Sequence, residues 1–382
     1  MKKRNLILVL VILLTFVGGF SSGILYTKNA KMNPINIYQA PVSAANPKEK
    51  TLPKTPKANS KVLIGYVQDF RDPNMIDYSK LTHVIFSFVH PTKDGEILFS
   101  GDYAMENLRT IVTNAKKHNT KVILAIGGWY HIKGGESYPY FKAAISNSAA
   151  RTKLVNELAR IAEREHLDGI DIDFEHSRSA EDAQNLKAFT KQLSNKLHKT
   201  NKELSIAVYS KINAETLTEV GFVQYDTAMF RYVDHVNIMA YDGQWDGKYN
   251  AANLSPYKFT EKIVNYWSNL FEQNKISKDK LVLGVPFYAQ PTDPKIKQVS
   301  YAAIIKENPD DAASDMVKMN GTTYYYNGST TMEKKTQLAL NYGFGGMMLW
   351  EAGLDAQGPR SLTTAIYAEL KKSSTKYYSL KK

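Results

Sequence analysis

The chain has 382 residues, no cysteine and a formal net charge of +12. That length suffices for one large α/β barrel or two ordinary domains, and the missing cysteine excludes disulfides, thiolate metal sites and a cysteine nucleophile. The charge does not announce a nucleic-acid partner. The first 60 residues carry nine Lys/Arg against one Glu, and Lys371, Lys372, Lys376, Lys381 and Lys382 crowd the other end, so the body between is near neutral, with no basic stripe.

Lys2-Lys3-Arg4 precede an apolar run from Leu6 to Val17, then the small residues Gly18, Gly19, Ser21, Ser22 and Gly23. This is the layout of an export signal. Apolar character resumes at Ile24-Leu25-Tyr26 and no clean Ala-x-Ala site follows, so residues 1–27 read as a signal peptide or an uncleaved membrane anchor. Either way the remainder is expected outside the cell, secreted or tethered to the outer face of the membrane. Residues 28–60 contain Pro34, Pro41, Pro47, Pro53 and Pro56 without apolar periodicity and read as a solvated linker. The folded domain is expected over 61–372 as a monomer, with a basic tail over 373–382.

From Lys61 a rhythm begins. Short β-branched or aromatic runs predict buried strands at Val62–Val67, His83–Val89, Lys121–Ile126, Gly169–Phe174, Leu204–Tyr209, His235–Ala240, Leu281–Pro286 and Gly346–Leu349. Helical patterns lie between them, including Met105–Lys117, Thr152–Glu165, Ala180–Leu197, Phe259–Gln273 and Thr331–Tyr342. Such alternation predicts βαβ units and a parallel sheet, and eight strands fit an α/β fold of the (β/α)8 TIM-barrel type. A doubly wound open sheet is the alternative, but no glycine-rich phosphate loop follows the first strand. Residues 290–328 are too long for a simple loop. The helical Tyr301–Glu307 and strand-like Thr322–Tyr326 within them predict a small α+β insertion over the mouth, between strands seven and eight.

One stretch carries the chemistry: Asp168-Gly169-Ile170-Asp171-Ile172-Asp173-Phe174-Glu175. The period of two puts Asp171, Asp173 and Glu175 on one strand face. Adjacent carboxylates raise one another's pKa, and burying them is costly unless they share protons. In a barrel the strand's C-terminal end is the site, so Glu175 would end the fourth strand as a proton donor at the rim. A solvated acidic face is the plain alternative. An oxygen cage for Ca²⁺ or Mg²⁺ is another, but strand spacing stacks these acids in depth instead of wrapping them round a point. No metal or cofactor is expected.

The motif Asp168-x-x-Asp171-x-Asp173-x-Glu175 resembles the signature of glycoside hydrolase family 18, the chitinase and endo-β-N-acetylglucosaminidase family. Gly127-Gly128-Trp129, Met239-Ala240-Tyr241-Asp242, Gly284-Val285-Pro286-Phe287-Tyr288 and Trp350-Glu351 agree with it in order and position, over roughly Lys61 to Lys371. The resemblance implies a retaining glycosidase that uses the substrate's own acetamido oxygen as nucleophile. It makes Glu175 the proton donor, Asp173 the orienter of the acetamido group, Asp171 its proton-sharing partner and Tyr241 an acetamido hydrogen-bond donor. Asp242 would bind a sugar hydroxyl or the acetamido group, beside Met239, and Trp350 would floor the central subsite. Asp242 as a helix cap stays open, as does Tyr66 as a core residue rather than a support for Asp171. Trp129 and Trp245 would be sugar-stacking walls or loop anchors, and His176 a neighbour of the acid rather than a catalyst.

Three stretches depart from the family pattern. Phe174-Glu175-His176-Ser177 stands where Trp-Glu-Tyr-Pro is common, Ala125 replaces a serine that helps hold the deepest aspartate, and Ala289-Gln290 replaces Gly-Arg. The expected substrate is a β-1,4-linked N-acetylglucosamine polymer such as chitin. Peptidoglycan or N-glycans under the same mechanism, and a non-catalytic lectin on the same fold, are the alternatives.

Overall fold

The β-branched runs do pair side by side, and the ring closes. In the computed structural model residues 61–379 are described, His176 excepted, with side chains to Lys372. The strands are β1 (Val62–Gln68), β2 (His83–Pro91), β3 (Lys121–Gly127), β4 (Gly169–Asp173), β5 (Glu203–Tyr209), β6 (His235–Met239), β7 (Leu281–Pro286) and β8 (Gly346–Trp350). All neighbours are parallel, and β1 pairs with both β2 and β8. The fold is a (β/α)8 barrel.

Alternation sorts the side chains. Ile170 and Ile172 of β4 are fully buried, while Asp171 between them reaches Tyr66 of β1, across the barrel interior. Ile64, Tyr66, Ile85, Ile123, Ala125, Val282 and Met348 fill that interior below Tyr241. Outer helices bury one stripe each. Tyr257–Gln273 buries Phe259, Ile263, Trp267 and Phe271, four residues apart or nearly so. Ala180–Leu197 starts where Ser179 accepts a hydrogen bond from the Asp182 amide, the side-chain cap that a helix N-terminus needs.

Several elements differ from the sequence expectation. Two crossovers lack an α-helix. β1 reaches β2 through 3₁₀ turns at Pro73–Met75 and Tyr78–Lys80, and β5 reaches β6 with one at Thr227–Arg231. In the first, Asp72 and Asp77 each cap a turn by accepting an amide hydrogen bond, and Pro73 has no amide to continue a ladder, so the connection closes locally. Helices at Tyr138–Ser146 and Leu362–Ser379 were not anticipated; the latter crosses the 372/373 boundary. The insertion starts at Tyr288, two residues early. It is an antiparallel sheet of Tyr288–Pro291, Val299–Ser300, Met316–Met319 and Thr322–Tyr325 with the helix Tyr301–Glu307.

Glu175 does not end the fourth strand. Pairing of β4 stops at Asp173 opposite Gly127, and Phe174 and Glu175 continue as loop. Among the described residues no helix is long and apolar enough to cross a membrane. The expected export segment 1–27, the linker 28–60 and the end of the basic tail lie outside the described residues, as does His176.

Candidate active site

Three carboxyl groups rise through the barrel axis. The deepest, Asp171, is fully buried and has partners on three other strands. Tyr66 Oη donates to its Oδ2 at 2.7 Å. Ser205 Oγ of β5 donates to its Oδ1, and Asn237 Nδ2 of β6 adds a longer contact at 3.3 Å. Burial pushes the Asp171 carboxyl up to about 6, while these donors pull the other way. Tyr66 is thus a support for Asp171 and not merely a core aromatic.

Ser205 answers a question that the sequence left open. Ala125 stands opposite Asp171 on the β3 side, and Ser205 stands opposite it on the β5 side. The hydroxyl missing from β3 is supplied from β5. Sequence reasoning missed both Ser205 and Asn237; a polar residue at an inward position of a buried strand was the available signal.

Asp173, one layer higher, is buried. Burial, then the charges of Glu175 and Asp171, raise its pKa well above the usual carboxylate range. Its Oδ1 finds no hydrogen-bond partner among the described residues. Such an atom is expensive unless protonated or met by a ligand group. Glu175 follows at the rim, partly exposed. Burial, then the negative charge of Asp242, push its carboxyl up to about 8, while a hydrogen bond from the Trp129 backbone pulls it down.

The loop after β3 brings its backbone against this column. Gly128 N donates to the Asp173 carbonyl at 3.0 Å. Gly127 has φ near +119°, and a Cβ there would sit 2.1 Å from the same carbonyl oxygen. Only glycine fits that approach. Trp129, 46% exposed, then lines a small cavity with Glu136, Tyr138, Glu175 and Arg178.

Opposite, β6 delivers half-buried Met239 against the interior cluster and then buried Tyr241. Tyr241 Oη lies 4.0 Å from Met348 Sδ. Asp242 occupies the left-handed region and caps nothing with its side chain. Its Oδ1 instead accepts from Tyr288 Oη and, at 3.1 Å, from Gln244 Nε2. Burial raises its pKa and the Tyr288 contact opposes the rise. Tyr288, which begins the insertion, is a further residue whose place at the site sequence reasoning had not singled out. Trp350, ending β8, has its ring 5.5 Å from Tyr66 and stacks on Phe88 at 5.9 Å. Trp245 is 53% exposed and packs on Tyr249 at 4.7 Å. Neither Trp129 nor Trp245 is a buried anchor. The arrangement joins a raised acid, two buried aspartates and half-exposed indole rings.

The carboxyl column opens at the C-terminal end of β4, the end at which parallel-barrel enzymes carry their active sites. The profile of the Glycosyl hydrolases family 18 matches residues 62–355, and the chain belongs to that family. Chitinase 1 of Aphanocladium album is 26% identical, over 82% of this chain and 85% of its own. The class V chitinase CHIT5a of Medicago truncatula is 26% identical over 74% and 83%. Among solved structures, the chitinase ChiB of Flavobacterium johnsoniae superposes with a TM-score of 0.68 at 24% identity, covering 83% of this chain and 96% of that one. A chitinase from Bacteroides thetaiotaomicron superposes at 0.67, also at 24% identity, covering 82% and 97%. The chain is a glycosidase.

Proposed function

We propose that this glycosidase hydrolyses β-1,4 linkages of chitin or chito-oligosaccharides with retention of anomeric configuration. The observation that carries the reading is the neighbouring pair Asp173 and Glu175: Asp173 Oδ1 meets no hydrogen-bond partner among the described residues, and burial pushes the Glu175 carboxyl up to about 8. Glu175 keeps its proton at neutral pH and delivers it to the leaving glycosidic oxygen. The acetamido oxygen of the sugar attacks the anomeric carbon, and the glycosidic C–O bond breaks to give an oxazolinium ion. Asp173 takes the acetamido N–H and balances the positive charge, and Asp171 shares its proton. Water, deprotonated by Glu175, then attacks the anomeric carbon from the face that the leaving group vacated, and the bond to the acetamido oxygen breaks. Tyr241 and Asp242 hold the acetamido group and a hydroxyl, beside Met239. Trp350 lies under the sugar, and Trp129 and Trp245 stack against neighbouring sugars. Support for chitin comes from the relatives named above, all called chitinases. The enzyme acts outside the cytoplasm, a reading that rests on Lys2-Lys3-Arg4 and the apolar run after them.

Product analysis on chitohexaose, peptidoglycan and a high-mannose glycopeptide, with the anomer followed, tests this. β-Anomeric di- or trisaccharides from chitohexaose are expected. Cleavage of only one of the other substrates would move the enzyme to the wall or to glycoproteins. Initial release of α-anomers would overturn the mechanism.

A further inference from the structure

The inward faces of β2, β5 and β6 continue below the acid column to the opposite end of the barrel, where each strand begins. There His83, Glu203 and His235, the first residues of those three strands, come together. One donor atom from each lies within 4.8 Å of the others. His83 Nε2 is 3.0 Å from Glu203 Oε2, and His235 Nε2 is 3.9 Å from the same oxygen. The two imidazole rings meet edge to face at 5.1 Å. We propose that His83, Glu203 and His235 form a binding site for a divalent transition-metal ion of the zinc type at the base of the barrel.

Two imidazoles and a carboxylate are the nitrogen and oxygen donors that zinc takes with three protein ligands and an open position. With metal–ligand bonds of about 2.0–2.2 Å, two donors on a tetrahedral ion stand about 3.3 Å apart. The separations of 3.0 and 3.9 Å straddle that value, and every donor pair lies within 4.8 Å. A ligating histidine is normally fixed through its other nitrogen. His83 Nδ1 is 2.8 Å from Thr82 Oγ1, whose hydroxyl donates to the Leu63 carbonyl at 3.0 Å. When that hydroxyl donates to Leu63, Nδ1–H donates to Thr82 Oγ1 and the Nε2 lone pair faces Glu203 Oε2. In that tautomer two lone pairs would face each other 3.0 Å apart, an arrangement that a bound cation relieves. Lys121 already pairs with the other oxygen of Glu203, Oε1, so Oε2 is the one turned to both rings. His235 Nδ1 is buried and meets no partner among the described residues, while its Nε2 faces Glu203. The three ligands come from β2, β5 and β6, and an ion shared among them would tie β2 to β5 and β6 at the base of the barrel.

The test is calorimetric titration of the untagged, chelator-treated full-length chain with ZnCl₂. A thermal melt follows at each zinc level, and a visible spectrum is taken with Co²⁺ in its place. One equivalent bound at micromolar Kd or tighter is expected. The melting point should rise by a few degrees at hundredfold excess over Kd, and Co²⁺ should give d–d bands of a nitrogen-ligated site. His83→Gln and His235→Gln should each weaken zinc at least tenfold while chito-oligosaccharide hydrolysis is kept. Absence of saturable binding by the wild type would overturn the proposal, and so would equal binding by His235→Gln. In either case the cluster is a hydrogen-bonded His–Glu–Lys base. Should His83→Gln fail to fold, the His235→Gln titration and the wild-type Co²⁺ spectrum decide the matter.

Discussion

Replacing Glu175 by glutamine keeps the shape of the side chain and removes its titration. Burial, then the charge of Asp242, hold this carboxyl near 8 in the folded protein, against a usual value of 4.5. A carboxyl raised on folding binds its proton more tightly in the folded state. The stability tied to it is therefore present at low pH and is lost as pH rises from about 4 through about 8. At about 1.4 kcal/mol per pH unit, the loss is on the order of 1 kcal/mol at pH 5, 3 kcal/mol at pH 7 and 5 kcal/mol above pH 9. Partial solvent access to the side chain makes these upper figures. Glu175→Gln should lose turnover by about a thousandfold, the reach of general acid catalysis. It should also be more stable than wild type, by a margin that grows with pH. Urea unfolding of both proteins at pH 5, 7 and 9, beside chitohexaose turnover, reads the two effects. A stability difference that stays flat across those pH values would refute the burial argument. Retained turnover would refute the assignment of the acid.

Asp242→Asn removes the charge that helps hold Glu175 up, so the alkaline limb of the kcat/KM–pH profile should move to lower pH; an unmoved limb would deny the coupling. Ser205→Ala strips a donor from buried Asp171 and should lower kcat about tenfold with KM nearly unchanged. That donor lowers the Asp171 pKa, so the acid limb should shift upward; a purely structural serine would leave the profile in place. Gly127→Ala puts a Cβ 2.1 Å from the Asp173 carbonyl at a φ that alanine rarely adopts. It should unfold at least 10 °C below wild type by circular dichroism, and an unchanged melt would show that the loop yields.

What could be read from the chain alone was whatever repeats at short range. Period-two alternation gave the direction of Asp171 and Asp173, and β-branched runs gave all eight strands to within two residues at each end. Ala180–Leu197 and Leu281–Pro286 fell where propensity and pattern agree with the fold around them. The ends of elements were less legible. Strand β4 stops at Asp173 because pairing with Gly127 ends there, a fact about a neighbour 46 residues away.

The partners of the acids were decided by tertiary structure alone. Ser205 meets Asp171 because β5 lies beside β4 in that register, and Asn237 reaches it from β6. No local pattern encodes a register between strands thirty residues apart. Tyr288 holds Asp242 because the insertion folds back over the mouth. His83, Glu203 and His235 likewise look like ordinary strand-edge polar residues in the sequence, and only barrel closure sets their side chains against one another. Alternation along a strand is local geometry and so is written in the chain. Which strands face each other across the axis depends on closing the ring, and that belongs to the whole fold.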